Sequence, residues 1–162
     1  MRTITIAAVL AGLGSPALAD ETAAGTYDVK FEEMAHNCDP PPVALARNKL
    51  TISVEKTSLR VNTELIPQMV GIAQKNGKVN AKTIKVVGTT VAGLSGKYSV
   101  AGHVDDGVLQ LVLVAEYIRQ DTNKPYCTQS WNVSGLRQDL ADKKKSSKTS
   151  ALFGELVPLA LR

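Results

Sequence analysis

The sequence predicts an all-β domain, an antiparallel meander of about eight strands that closes into an up-and-down barrel in preference to a β-sandwich. Three observations lead there. From Gly25 onward apolar side chains recur with a period of two, turn residues separate the apolar runs, and helical spacing is nearly absent from the body of the chain. Successive hairpins without a long crossover favour the barrel over the sandwich. Closure also removes the unpaired edges that an open sheet exposes.

Residues 1–19 precede this domain and read as a secretory signal peptide: Arg2, an apolar stretch from Ile4 to Leu13, then Gly14-Ser15-Pro16 and the small-residue ending Ala17-Leu18-Ala19. The apolar stretch falls short of the roughly 20 residues that span a bilayer. The expected mature chain starts at Asp20, is periplasmic or secreted, and has no transmembrane segment. Residues 20–137 form a single β domain and residues 138–162 a basic, then apolar, C-terminal tail.

Within the domain, "GTYDVKFEE" sets Tyr27, Val29 and Phe31 on one face of a first strand. A loop, "MAHNCDPPPVALARN", follows, in which three consecutive prolines withhold their backbone donors and exclude a central strand. "KLTISVE" and "SLRVNTEL" alternate next, with Glu55 to Ser58 as a hairpin loop. Asn76-Gly77 marks a further tight turn, because a type I′ turn needs positive φ at both central positions. "GTTVAGLSGKY", rich in glycine and short polar residues, reads as a loop or weak edge.

Asp105-Asp106-Gly107 then joins "KYSVAGHV" to "VLQLVLVAEYI" as a hairpin. The run Val108 to Val114 is apolar at nearly every residue, which predicts a central strand covered on both faces. In "YCTQSWNV" alternation places Cys127, Gln129, Trp131 and Val133 on the inner face. "SGLRQDLADKKK" offers the one helical spacing, Leu136 to Leu140 with Ser134 as N-cap; the apolar end of the tail reads as a last strand or helix over one barrel end.

The chemistry-bearing residues are few. Cys38 and Cys127 are the two cysteines, and export predicts that they form one disulfide. That bond would leave no thiolate for a Cys127–His103 nucleophile pair. The grouping His36, Cys38 and Asp39 lacks the spacing of established metal motifs, so no metal, cofactor or catalytic residue is expected. "GLSGK" at Gly93 to Lys97 matches neither a nucleophile elbow nor a P-loop. Asn132 opens a glycosylation sequon inside a predicted strand.

Loss of the leader removes Arg2 and lowers the formal charge from +4 to +3. With few aromatics, none interleaved with the basic residues, the chain does not read as a nucleic-acid binder. Lys143, Lys144, Lys145 and Lys148 form a basic run that suits an anionic envelope surface.

Gly25-Thr26-Tyr27 opening the first strand, the run of hairpins, and Arg137 just past the last strand in "WNVSGLR" resemble the layout of the lipocalins and their calycin relatives. In that family Gly-x-Trp opens the first strand and a late arginine packs across the ring at the closed end of the barrel. The resemblance implies that Gly25 and Tyr27 take the first role, with tyrosine in place of tryptophan, and Arg137 the second. It also implies a cup for a small apolar or amphipathic ligand; Trp131, on the inner face, either finishes a packed core or forms one wall of such a cavity. The expected function is a non-enzymatic barrel that binds such a ligand; the alternative is an envelope-associated structural or interaction protein with a filled core and a basic tail.

Overall fold

The computed structural model describes residues 23–140, so residues 1–19, expected to be a signal peptide, and the lysine run of the tail lie outside the described residues. Nine strands make up most of it: β1 (Gly25–His36), β2 (Arg47–Glu55), β3 (Ser58–Thr63), β4 (Ile66–Ile72), β5 (Lys78–Lys82), β6 (Val87–Gly88), β7 (Leu94–Asp105), β8 (Val108–Arg119) and β9 (Pro125–Arg137). Neighbours in sequence pair antiparallel, except that β5 bypasses the two-residue β6 and joins β7. β9 returns to β1 and completes the ring. The result is an eight-stranded, closed, up-and-down barrel with β6 attached to its rim.

The turns follow the local chemistry. Lys56-Thr57 is a two-residue turn closed by the Glu55–Ser58 pair, and Asp106-Gly107 is another, closed by Asp105–Val108. Asp106 and Gly107 have φ of 47° and 71°, and Asn76 and Gly77 both have 66°, the left-handed values that Asn, Asp and Gly tolerate best. Asn76-Gly77 sits in a wider connection, because β4 ends at Ile72. The β4–β5 ladder is the shortest in the ring, with two residue pairs, Val70–Lys82 and Gly71–Ala81.

Inward alternation fills the barrel. Tyr27, Ile52, Leu59, Val61, Met69, Leu109, Leu111 and Trp131 are among its fully buried side chains. As expected, Cys127, Gln129, Trp131 and Val133 all face inward from β9.

Four local expectations are corrected. The Val108 to Val114 segment is not covered on both faces: Leu109, Leu111 and Leu113 are buried, while Val108 and Val112 are exposed on the outer wall. A barrel strand has a neighbour on each side but only one interior, so lateral centrality does not imply two covered faces. Ser134 is no helix N-cap, since it pairs with Lys30 and Gln110 inside β9, and helix begins only at residues 138–140. The stretch read as a loop or weak edge contributes Leu94 to Gly96 to β7, because β8 supplies a full-length partner. β1 runs on to His36 through a bulge at Met34.

Candidate functional site

β1 gives the barrel its two ends: Gly25 at one, His36 at the other. At the Gly25 end, Tyr27 lies directly opposite Arg137 on β9. The Tyr27 ring is fully buried, and its hydroxyl donates to the Ala23 carbonyl at 2.8 Å. A Cβ added to Gly25 would stand 2.6 Å from Arg137 Cδ, so glycine leaves room for the Arg137 side chain to cross beside the Tyr27 ring. The Arg137 guanidinium also contacts Asp139, with Nε 2.8 Å from Oδ1. Gly25, Tyr27 and Arg137 thus converge at one barrel end.

The opposite end is closed by the loop between β1 and β2. Cys38 and Cys127 form a disulfide with a Cα–Cα distance of 5.1 Å. Polar contacts reinforce it. Asn37 Oδ1 accepts the Thr128 N–H at 2.7 Å, Tyr126 donates its hydroxyl to the Asp39 carbonyl at 3.1 Å, and Gln129 Nε2 donates to the Val43 carbonyl at 2.8 Å. The proline-rich loop is therefore a cap fastened along its length.

Beneath the cap lies a polar chain that alternation alone does not foretell. Glu33, paired with Trp131, continues the inward phase of β1, and the bulge at Met34 resets that phase so that His36, paired with Gln129, faces the mouth beside it. His36 Nδ1 lies 2.6 Å from Glu33 Oε1, which also accepts Gln129 Nε2 at 3.1 Å. Tyr117 donates its hydroxyl to Gln129 Oε1 at 3.3 Å, and its ring meets Tyr98 edge-on at 6.4 Å between centroids. Gln129, 1 % exposed, is the buried polar side chain of the core among the described residues.

Because both amide groups of Gln129 are used, its replacement by methionine is expected to strand the Val43 carbonyl and to leave the Tyr117 hydroxyl with Tyr98 alone. The expected loss is about 1–3 kcal/mol, read as a lower urea midpoint.

Burial pushes the Tyr117 hydroxyl well above the ordinary tyrosine value of 10.0, and nearby Tyr98 and Glu33 add to the shift. Burial also raises Tyr98, partly offset by its hydrogen bond with Tyr117. In the unfolded chain both ionise near the ordinary value. Their stabilising contribution is complete below about pH 10 and is lost as pH rises through the folded-state values. Unfolding free energy measured along an alkaline series should fall from that point upward, and Tyr117→Phe should flatten the decline.

The remaining residues singled out in the sequence fall elsewhere. His103 is exposed on the outer wall opposite Lys78 and Gln110, on the other face from Cys127, whose sulfur is in the disulfide. Among the described residues no group of three His, Cys, Asp or Glu side chains could hold a metal ion. Asn132 is exposed on β9. Trp131 is 1 % exposed and pairs with Leu113 and Glu33, so its indole is packed within the core. A ligand-sized space would leave water-accessible area on its lining, and Leu59, Val61, Met69, Leu109, Leu111 and Val133 have almost none. Clefts of about 870 Å³ and about 660 Å³ open instead on the outside of the wall, one along Lys30, Arg47, Val108 and Leu136, the other along Lys78, Asn80 and His103.

No helix among the described residues is long and apolar enough to cross a membrane. No protein-family model, curated protein or solved structure matches the chain.

Proposed function

We propose that this chain is an exported, non-enzymatic β-barrel that works through its outer surface: an envelope-associated interaction protein with a filled core. One observation carries the reading. The inward side chains, from Tyr27 and Trp131 to Leu109 and Val133, have almost no surface open to water. An eight-stranded barrel can be filled by its own side chains or hold one small ligand, and the burial of these side chains favours the first. The fastened cap adds support, since entry past it would require the Gln129 and Asn37 bonds to break while the disulfide still held the loop. Export is supported by the leader-like residues 1–19 and by the disulfide, which oxidising compartments sustain.

The convergence of Gly25, Tyr27 and Arg137 favours a second reading, a lipocalin-like barrel that binds a small apolar or amphipathic ligand. Native mass spectrometry of protein purified from its own compartment separates the two. The surface reading expects empty protein, with envelope material recovered in a pull-down. A bound small hydrophobe at one-to-one ratio would establish the cup in its place.

A further inference from the structure

Between Leu65 and Val104 the sequence holds no aspartate or glutamate, yet it holds five lysines, Lys75, Lys78, Lys82, Lys85 and Lys97, together with His103. The fold turns this stretch into one side of the barrel: β4, β5, β6 and most of β7. Register fixes the neighbours on its outer wall. Val70 stands beside Lys82 and Lys82 beside Ser99; Asn80 stands beside Ala101 and Lys78 beside His103. Lys75 lies on the connection into β5, and Lys85 on the connection out of it.

Acids appear only at the borders. Asp105 lies at the end of β7, Glu116 faces Lys97 from β8, and Glu55 is held by Arg60 at 3.3 Å. Lys75, Lys78, Lys82 and Lys85 take part in no ion pair among the described residues, whereas on the opposite wall Lys30 pairs with Glu32 and Asp28 sits across from Lys49. The charge of the barrel is therefore segregated around its circumference.

The same side carries large aliphatic side chains in water. Ile72 is 69 % exposed and Ile84 77 % exposed; Leu65, Val86 and Val91 are exposed as well. Single exposed aliphatic side chains are ordinary, but here several share one side with lysines that have no acidic partner. A polyanion would be held by the lysines but would gain nothing from the isoleucines. A bilayer with anionic headgroups uses both, because the ammonium groups meet the phosphates while the aliphatic chains enter the boundary of the acyl region.

We propose that the acid-free side of the barrel, Ile72 and Ile84 set among Lys75, Lys78, Lys82 and Lys85, docks on an anionic phospholipid surface. The cleft on the outer wall over the paired ends of β5 and β7 is where a headgroup phosphate sits. It offers Lys78 together with the side chains of Gln74, Asn76, Asn80 and His103, and Asp105 is the one carboxylate on its lining. This inference rests on the outer-surface reading and names the partner for it.

Sedimentation of the full chain with vesicles tests the proposal. Phosphatidylcholine vesicles are compared with vesicles that also contain phosphatidylglycerol. Binding is expected to the second kind alone and to weaken with salt. Reversing Lys75, Lys78, Lys82 and Lys85 to glutamate should weaken it by about a hundred-fold or more. Ile72→Ser with Ile84→Ser should weaken it with all charges in place.

Lys30→Glu with Lys49→Glu on the opposite wall should leave much more binding than the four-lysine reversal. Changing Lys143, Lys144, Lys145 and Lys148 to glutamine separates the tail from the barrel. All these positions on the barrel are solvent-facing, and an intact disulfide with an unchanged far-ultraviolet spectrum confirms folding. Undiminished binding by the four-lysine variant would overturn the site, as would loss of binding with the tail variant alone. Equal binding to soluble polyphosphate, insensitive to the isoleucine changes, would overturn the lipid partner. Failure of wild-type protein to bind anionic vesicles, with envelope proteins still recovered in the pull-down, would sink the proposal and leave the outer-surface reading standing.

Discussion

Replacing Cys38 and Cys127 together by serine is expected to lower the unfolding free energy by about 4 to 5 kcal/mol. The estimate comes from the unfolded chain. The bond joins residues 89 apart, and a loop of that size loses much of its conformational freedom when its ends are tied. The folded state should change little, because Asn37, Asp39 and Val43 keep their hydrogen bonds to Thr128, Tyr126 and Gln129. For a domain whose net stability is of order 5 to 15 kcal/mol, a loss of that size brings the midpoint close to ambient conditions. Urea denaturation of wild-type and double-serine protein, both followed by tryptophan fluorescence, gives the difference. A shift below about 1 kcal/mol would mean that the unfolded ensemble is already held together near these residues.

Trp131→Ala is expected to cost about 3–5 kcal/mol. Trp131 heads the largest fully buried side chains, and it packs between Leu113 of β8 and the mouth-facing end of β1. Truncation leaves a void that the closed ring of strands cannot collapse to fill, since their separation is fixed by backbone pairing. The experiment also bears on function. In a filled barrel the void is new and the full cost appears, and an apolar probe such as benzene should bind the variant but not the wild type. In a cup, truncation would merely widen an existing space, and the cost would fall well below this range.

Much of the barrel was legible because local chemistry and final topology agree. Asp106-Gly107 and the alternation of β9 each specify their structure without help from distant residues. The errors arise where a longer-range fact decides. Val108 and Val112 belong to an apolar run, and nothing local distinguishes a strand with two covered faces from one on a barrel wall whose outside stays apolar. Leu94 to Gly96 looked too weak to be strand and is held by its partners on β8. Ser134 has the chemistry of an N-cap, but the ladder to β1 and β8 outcompetes it.

The polar chain at the mouth was hidden for a different reason. Glu33 and His36 are three apart, so simple alternation puts them on opposite faces, and only the extra residue at Met34 brings them together. A bulge leaves no compositional mark when its residue is an ordinary one. The acid-free span from Leu65 to Val104 was by contrast plain in the sequence. Net charge concealed it, because a sum over the chain is blind to where the acids are missing.

The two-pair ladder between β4 and β5 has a consequence for how copies of this protein coexist. A hoop parts at its thinnest joint, so amides of β5 should exchange with deuterated water sooner than those of the long β8–β9 ladder. Each such opening uncovers a strand edge, and an uncovered edge is a template for a strand from another molecule. Lys78 and Lys82 stand on that edge, and a second copy would bring the same two charges against them. Pairing of that β5 edge with the same edge of a second copy is therefore opposed by like charge.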